Sequence, residues 1–341
     1  MEWQFELLKK LSNLYGAADK GLSDMPLEIS MDIKREHLNF SLKKFYAPTI
    51  NNISDVANQL LWLANPLTFN DPKDCQLGID SRFEIYCLDK FAEKSTKFST
   101  NEKIIIFEGK RRGLSIYHPS IWSILQKDNR FQDFAEFHRA NVMKVKEHIN
   151  RLDDNRYRIA CFVKDFGTSN EYDTLMWAHY AQNFQGFCVE YDVEKIFDYV
   201  FQDYFVSYSK SKTKYISGQL DKDTIKKIII NGLFPVVYSS RQQSVSVGNA
   251  YKIAMDKING KVSQDIKYNF LKALLTKDSV WKYEREWRLI ISDSIVRPID
   301  YKIPFPFAKS IIPGANASHE LKLILKSISE RLGLSTSFIY S

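Results

Sequence analysis

The residues of this chain best placed to do chemistry are two glutamates two positions apart, Glu284 and Glu286, within Trp281-Lys282-Tyr283-Glu284-Arg285-Glu286-Trp287-Arg288-Leu289-Ile290-Ile291. Successive side chains of an extended strand point to opposite faces. The segment sorts accordingly: Trp281, Tyr283, Trp287, Leu289 and Ile291 share one face, Lys282, Glu284, Glu286 and Arg288 share the other, and Arg285 and Ile290 are exceptions. Like charges at i and i+2 repel, which is tolerable in water and becomes chemically meaningful if the strand floors a cleft. Asp71, Asp74, Glu284 and Glu286 could converge on a divalent metal, an arrangement that with a basic surface would suit a metal-dependent nuclease. The plain alternative is a solvated strand face on which Glu284 and Glu286 pair with Lys282 and Arg288.

Placing those residues requires a scaffold. Trp3, Leu7, Leu8, Leu11, Leu14 and Tyr15 recur at helical spacing up to Gly16, so residues 1–40 read as an N-terminal helical segment. Phe45-Tyr46 and Leu61-Trp62-Leu63-Ala64 read as short strands, followed by a turn-rich loop through Pro66 and Asn70-Asp71-Pro72. From about Arg82 to Asp154 strand alternation is largely lost and Phe131, Phe134, Phe137 and His138 fall at helical spacing, which predicts a helical insertion. Strands are expected at Arg158–Phe162, after Gly186, at Phe234–Tyr238 (Pro235 marking an edge) and up to Gly314. A turn at 167–170 and a short helix at Leu175–Ala181 separate the first two of these. Leu321, Ile324, Leu325, Ile328 and Leu332 define a closing helix, with Ser318 as its N-cap and Gly333 at its end. The expected organisation is residues 1–40 followed by one α+β domain over 41–341 carrying the insertion at about 82–154.

At 341 residues and 44% hydrophobic content, with 14% aromatics, the chain can bury a sizeable core. The net charge of +7 is a mild excess spread over the chain; the nearest thing to a basic run, Lys210, Lys212 and Lys214, reads as a solvated loop or strand face. Cys75, Cys87, Cys161 and Cys188 form no C-x-x-C pair, so they read as reduced thiols rather than a zinc or disulfide framework. No apolar run approaches bilayer-spanning length and the N-terminus lacks a signal pattern, from which a cytoplasmic protein without membrane association is expected.

Three motifs in order, Phe69-Asn70-Asp71-Pro72-Lys73-Asp74, Trp177-Ala178-His179-Tyr180-Ala181 with Gly186-Phe187-Cys188, and Trp281 to Arg288, resemble the bacterial domain-of-unknown-function family twenty-nine seventy-one over about Lys44 to Gly314. Lys73 departs from the aromatic residue that family usually places after Asn-Asp-Pro. More distantly, an aromatic early strand, a central polar turn and a late Glu-x-Glu strand resemble the layout of ADP-ribosyltransferase folds, in which NAD lies across a split, mainly antiparallel sheet. That likeness implies NAD as substrate and transfer of ADP-ribose to a protein or nucleic-acid acceptor. Glu286 would stabilise the oxocarbenium-like ribose and Glu284 orient the acceptor. Tyr46 with Trp177 or Tyr180 would pack on nicotinamide or ribose, Asn70 would belong to the same binding surface, and Arg288 would meet a phosphate. By the same analogy the protein would act as a toxin or antiphage effector, and a neutralising partner protein stays open. Against this, Trp177 and Tyr180 suit a core, His179 suits a structural hydrogen bond, Asn70 and Asp71 suit a turn, and the fold could serve a non-catalytic binding protein.

Overall fold

A computed structural model of the chain describes Trp3, Gln4, Leu7, His37 and residues 41–153, 157–165, 171–196, 232–255 and 264–336. Of the expected opening helix only Trp3, Gln4 and Leu7 are described, and they are helical; the turn at 167–170 and Lys210, Lys212 and Lys214 lie outside the described residues. The chain divides into two compact units, the first formed by Met1–Asp74, Asn155–Ser240 and Leu275–Ser341, the second by Cys75–Asp154 and Arg241–Leu274.

The first unit is built on a seven-stranded sheet among the described residues. Its strands, numbered here in chain order, are β1 (Ser41–Tyr46), β2 (Tyr157–Asp165), β3 (Phe187–Tyr191), β4 (Leu233–Pro235), β5 (Glu286–Ser292), β6 (Ala308–Pro313) and β7 (Ser335–Thr336). The order across the sheet is β7-β6-β3-β1-β2-β5-β4, and every neighbouring pair is antiparallel except β6 with β7. The architecture is therefore mixed α and β on a mainly antiparallel open sheet. Pro235 sits on the outermost strand β4, where a missing N–H is tolerated.

Strand alternation decides the two faces. Leu42 and Tyr46 of β1, Phe162 of β2, Phe187, Val189 and Tyr191 of β3 and Trp287, Leu289 and Ile291 of β5 enter the main core with Leu321, Leu325 and Ile328 of the helix His319–Leu332. That helix begins where Ser318 Oγ accepts a hydrogen bond from Leu321 N at 3.1 Å and ends at Gly333, whose φ of 67° is left-handed. On the opposite face Phe45, Val163 and Cys188 meet Met176, Trp177 and Ala181 from the helix Glu171–Tyr180 and the turn after it. Gly186 lets that turn enter β3: a Cβ there would sit 2.0 Å from the carbonyl oxygen of Tyr46.

Two features depart from the sequence reading. The expected strand from Trp281 starts only at Glu286; Ser279–Glu284 is a 3-10 helix whose entry is capped by Asp278 accepting from Val280 N at 3.1 Å. Arg285, with φ of 46°, then turns the chain into β5. Over four residues, aromatic side chains at Trp281 and Tyr283 cannot tell a twofold repeat from a threefold one, and the aspartate cap decides in favour of the helix. The sheet is also continuous rather than split into halves, with one local opening. The β1–β2 ladder holds only for Ser41↔Asp165, Leu42↔Lys164 and Lys43↔Val163; farther along β2, Ile159 pairs with Ala64 instead. The two strands thus fork after Lys43.

The second unit is mostly helical: Phe83–Lys94, Thr100–Arg111, Pro119–Leu125, Arg130–Asp153, Val247–Ala254 and Gln264–Leu274, with a short parallel pair of Gly78–Ile79 and Ser244–Val245. Helix Thr100–Arg111 opens on a capping box between Ser99 and Glu102. Its aromatic interior includes Phe83, Phe134 and Phe98.

Candidate active site

The fork opens a cavity of about 520 Å³. Lys44 and Phe45 of β1 line one side and Cys161 and Val163 of β2 the other, with Phe69, Asn70 and Asp74 from the loop after Leu60–Trp62 and His179 and Tyr180 from the helix Glu171–Tyr180. Lys277, Glu284 and Glu286 complete the wall. Lys277 is held by the short parallel pairing of Val237–Tyr238 with Thr276–Lys277, Glu284 by the end of the 3-10 helix and Glu286 by the first position of β5.

These charges are buried and interlocked. The Lys277 ammonium lies 2.5 Å from Glu284 Oε2, 3.2 Å from Glu286 Oε2 and 3.6 Å from Asp74 Oδ2. Behind it, the Arg288 guanidinium, fully buried, donates to Glu286 Oε1 at 2.8 Å, to Glu286 Oε2 at 3.1 Å and to Asp74 Oδ2 at 2.6 Å. Tyr180 donates its hydroxyl to Glu284 Oε1 at 2.6 Å, the Asn70 side chain hydrogen-bonds that same hydroxyl, and the Cys161 side chain hydrogen-bonds Glu286. The Glu286 backbone N–H donates to Tyr238 Oη at 2.8 Å. Each of the four carboxylate oxygens therefore has at least one partner, which a buried charge requires.

The two glutamates are pushed in opposite directions. Burial, reinforced by the negative charge of Glu286, raises the pKa of Glu284 against the pull of Lys277. Burial also penalises the Glu286 carboxylate, but Arg288 and Lys277 together overcome it and bring its pKa down to about 2. Around them, burial and then Glu284 push the Tyr180 phenol up, so it remains a donor, and burial and then Glu286 do the same to the Cys161 thiol. Burial works against the Lys277 ammonium, yet Glu286 and Glu284 hold it charged. Two carboxylates in one cavity, one fixed as the anion and one disposed to take a proton, is the arrangement acid–base chemistry uses.

Of the residues singled out from sequence, Glu284, Glu286, Asn70 and Tyr180 are brought together on the cavity wall. Arg288 lies behind the wall, binding Glu286 and Asp74 rather than facing the cavity. Tyr46 is on the core face, its hydroxyl 2.9 Å from that of Tyr191 and its ring stacked on Phe187; Trp177 is stacked on Phe184 and packed edge-on against Phe45. The solvated-face alternative does not hold, since Glu284 and Glu286 are 2% and 4% exposed and Lys282 points elsewhere, exposed. Asp71 shapes its turn by accepting from Lys73 N at 2.9 Å and is not on the wall. Asp74, Glu284 and Glu286 do converge on one cation position, and the ammonium of Lys277 holds it; no cluster of His, Cys, Asp or Glu suited to a metal ion occurs among the described residues. Sequence reasoning missed Lys277 and Lys44. Lys43-Lys44 carried a signal, because two consecutive lysines inside a strand must place them on opposite faces of a sheet.

Fold and site together define an α+β protein with a carboxylate-lined cavity at a fork in an antiparallel sheet. Residues 176–289, from Met176 through the glutamate pair to Leu289, match the family model described as protein of unknown function (DUF2971). No curated protein and no solved structure matches the chain.

Proposed function

We propose that the cavity binds NAD and that its two glutamates transfer ADP-ribose from NAD to a macromolecular acceptor, protein or nucleic acid. The observation that carries this reading is the placing of Glu284 and Glu286 on one cavity wall, in surroundings that displace their pKa values in opposite directions. Cleavage of the bond between nicotinamide nitrogen and ribose C1′ leaves positive charge on the ribose while nicotinamide departs neutral. A carboxylate that cannot be protonated near neutral pH, locked by Arg288 and Lys277, stabilises that charge without rearranging. The acceptor nucleophile then bonds to C1′ and gives its proton to Glu284, whose environment favours taking one. A cavity of about 520 Å³ suits a small-molecule ligand, and Phe45, Phe69 and Tyr180 offer aromatic surface in place of Tyr46 and Trp177. The fork between β1 and β2 gives the ADP-ribosyltransferase analogy its one structural point of support. A toxin or antiphage role, with or without a neutralising partner, rests on that analogy alone.

The test is incubation of purified protein with NAD carrying a labelled adenylate and cell lysate, read as nicotinamide release and label on macromolecules. Wild type should release nicotinamide and transfer label, and Glu284→Gln, which keeps a hydrogen-bonding group toward Tyr180, should lose transfer. No nicotinamide release at any condition, with chelator-sensitive cutting of nucleic acid instead, overturns the reading in favour of a nuclease.

A further inference from the structure

Among the described residues, the lysines on the cavity wall differ in one respect. Lys277 faces three carboxylates, and Lys43 is 2.9 Å from Asp165 and 3.8 Å from Asp173. Among the described residues no carboxylate lies within salt-bridge distance of Lys44, whose one hydrogen-bond acceptor is a backbone carbonyl. Its ammonium donates to the Cys161 carbonyl oxygen at 3.2 Å and otherwise lies near the rings of Tyr46 and Phe162, 5.5 and 5.9 Å from their centroids. The position follows from the fork, since β1 and β2 stop pairing after Lys43, and the next side chain of β1 reaches into the gap and takes a β2 carbonyl.

A partly buried ammonium with one neutral acceptor gains from an anion that completes it. Burial accordingly lowers the pKa of Lys44, with only partial relief from Cys161 and Glu286. The other wall is opposite in sign: Asp74, Glu284 and Glu286 outnumber Lys277 and Arg288. Phe45 and Phe69 line the same cavity. A ligand matching this lining has aromatic surface, an oxyanion for Lys44 and a positive or cation-developing centre for the glutamates.

We propose that Lys44 is the oxyanion-binding residue of this cavity and seats a phosphate group of a nucleotide-type ligand whose cation-developing centre lies against Glu284 and Glu286. The assignment deepens the NAD reading by naming where its diphosphate would sit, but the subsite itself stands on the geometry of the fork. A compact ammonium recognises phosphate as a point charge, leaving two N–H donors for the ligand beside the one spent on Cys161.

The test is calorimetric titration of the full chain with inorganic pyrophosphate and, in parallel, malonate, on wild type and Lys44→Met. Pyrophosphate should bind wild type and lose at least tenfold in affinity in the variant, while the melting temperature of unliganded Lys44→Met stays level or rises because a partly buried charge with no carboxylate partner has gone. As a check that needs no variant, pyrophosphate should protect Lys44 of wild type from acetic anhydride, read by mass spectrometry. Equal pyrophosphate binding by wild type and Lys44→Met, absence of protection, or binding of malonate alone overturns the proposal. Nicotinamide release that survives Lys44→Met with unchanged Michaelis constant removes this inference and spares the NAD reading; Lys44-dependent pyrophosphate binding without NAD turnover does the reverse.

Discussion

Glu286 owes its charge state to its neighbours, and that makes its contribution to stability pH-dependent in a definite direction. Its folded pKa of about 2 lies below the ordinary value of 4.5. The stabilisation is therefore complete above pH 4.5 and is lost as pH falls toward 2, by about 3 kcal/mol in total for such a shift. Denaturant unfolding at pH 7 and pH 3 should show this loss in wild type and a smaller one in Glu286→Gln, which at pH 7 should already be destabilised by about 3 kcal/mol because Arg288 and Lys277 keep their charges with one anion fewer. Glu284 runs the other way: its pKa is raised, so protonation favours the folded state at low pH and its readiness as a base appears only as pH rises through a value above 4.5. Transfer to the acceptor should show that rising limb, and Glu284→Gln should abolish the limb while leaving nicotinamide release by hydrolysis within about tenfold of wild type. Equal loss of hydrolysis and transfer would contradict the division of labour between the two carboxylates.

At the scale of elements, two glycines permit close backbone approaches. Gly186 allows the turn after the helix Glu171–Tyr180 to press on β1, and Gly314 approaches the Phe184 carbonyl just as closely, with a Cβ there at 2.1 Å. Gly186→Ala should cost about 3 kcal/mol or more, measured by denaturant midpoint, because the obstacle is backbone and cannot rotate away. Element by element, the chain was legible where periodicity ran long. The closing helix with Ser318 and Gly333 and the alternation of Phe187, Val189 and Tyr191 were readable from pattern alone. Legibility failed where the decisive partner is remote in sequence. Arg288, expected to meet a phosphate, is instead covered by Asp74 and Phe69 from another segment. Tyr46 joins the ligand surface only through the ADP-ribosyltransferase likeness, whereas its parity with Leu42 sends it to the core. Glu284 and Glu286 share a cavity through a turn at Arg285 rather than along one strand.

At the scale of the molecule, each compact unit is assembled from separated stretches of chain. No helix among the described residues is long and apolar enough to cross a membrane, and the charge of +7 is a small excess for 341 residues. A fragment ending at Ser240 lacks β5, β6 and β7 together with Lys277, Glu284, Glu286 and Arg288. It should show neither a near-ultraviolet circular dichroism signature nor a cooperative thermal transition, and should leave NAD untouched. The same spacing has a consequence during synthesis. The bond from Arg288 to Asp74 joins residues 214 positions apart, so on the ribosome Asp74, with Lys44, emerges long before the strand that completes its surroundings. The cavity wall is therefore unfinished for most of translation and can close only after Arg288 has left the ribosome.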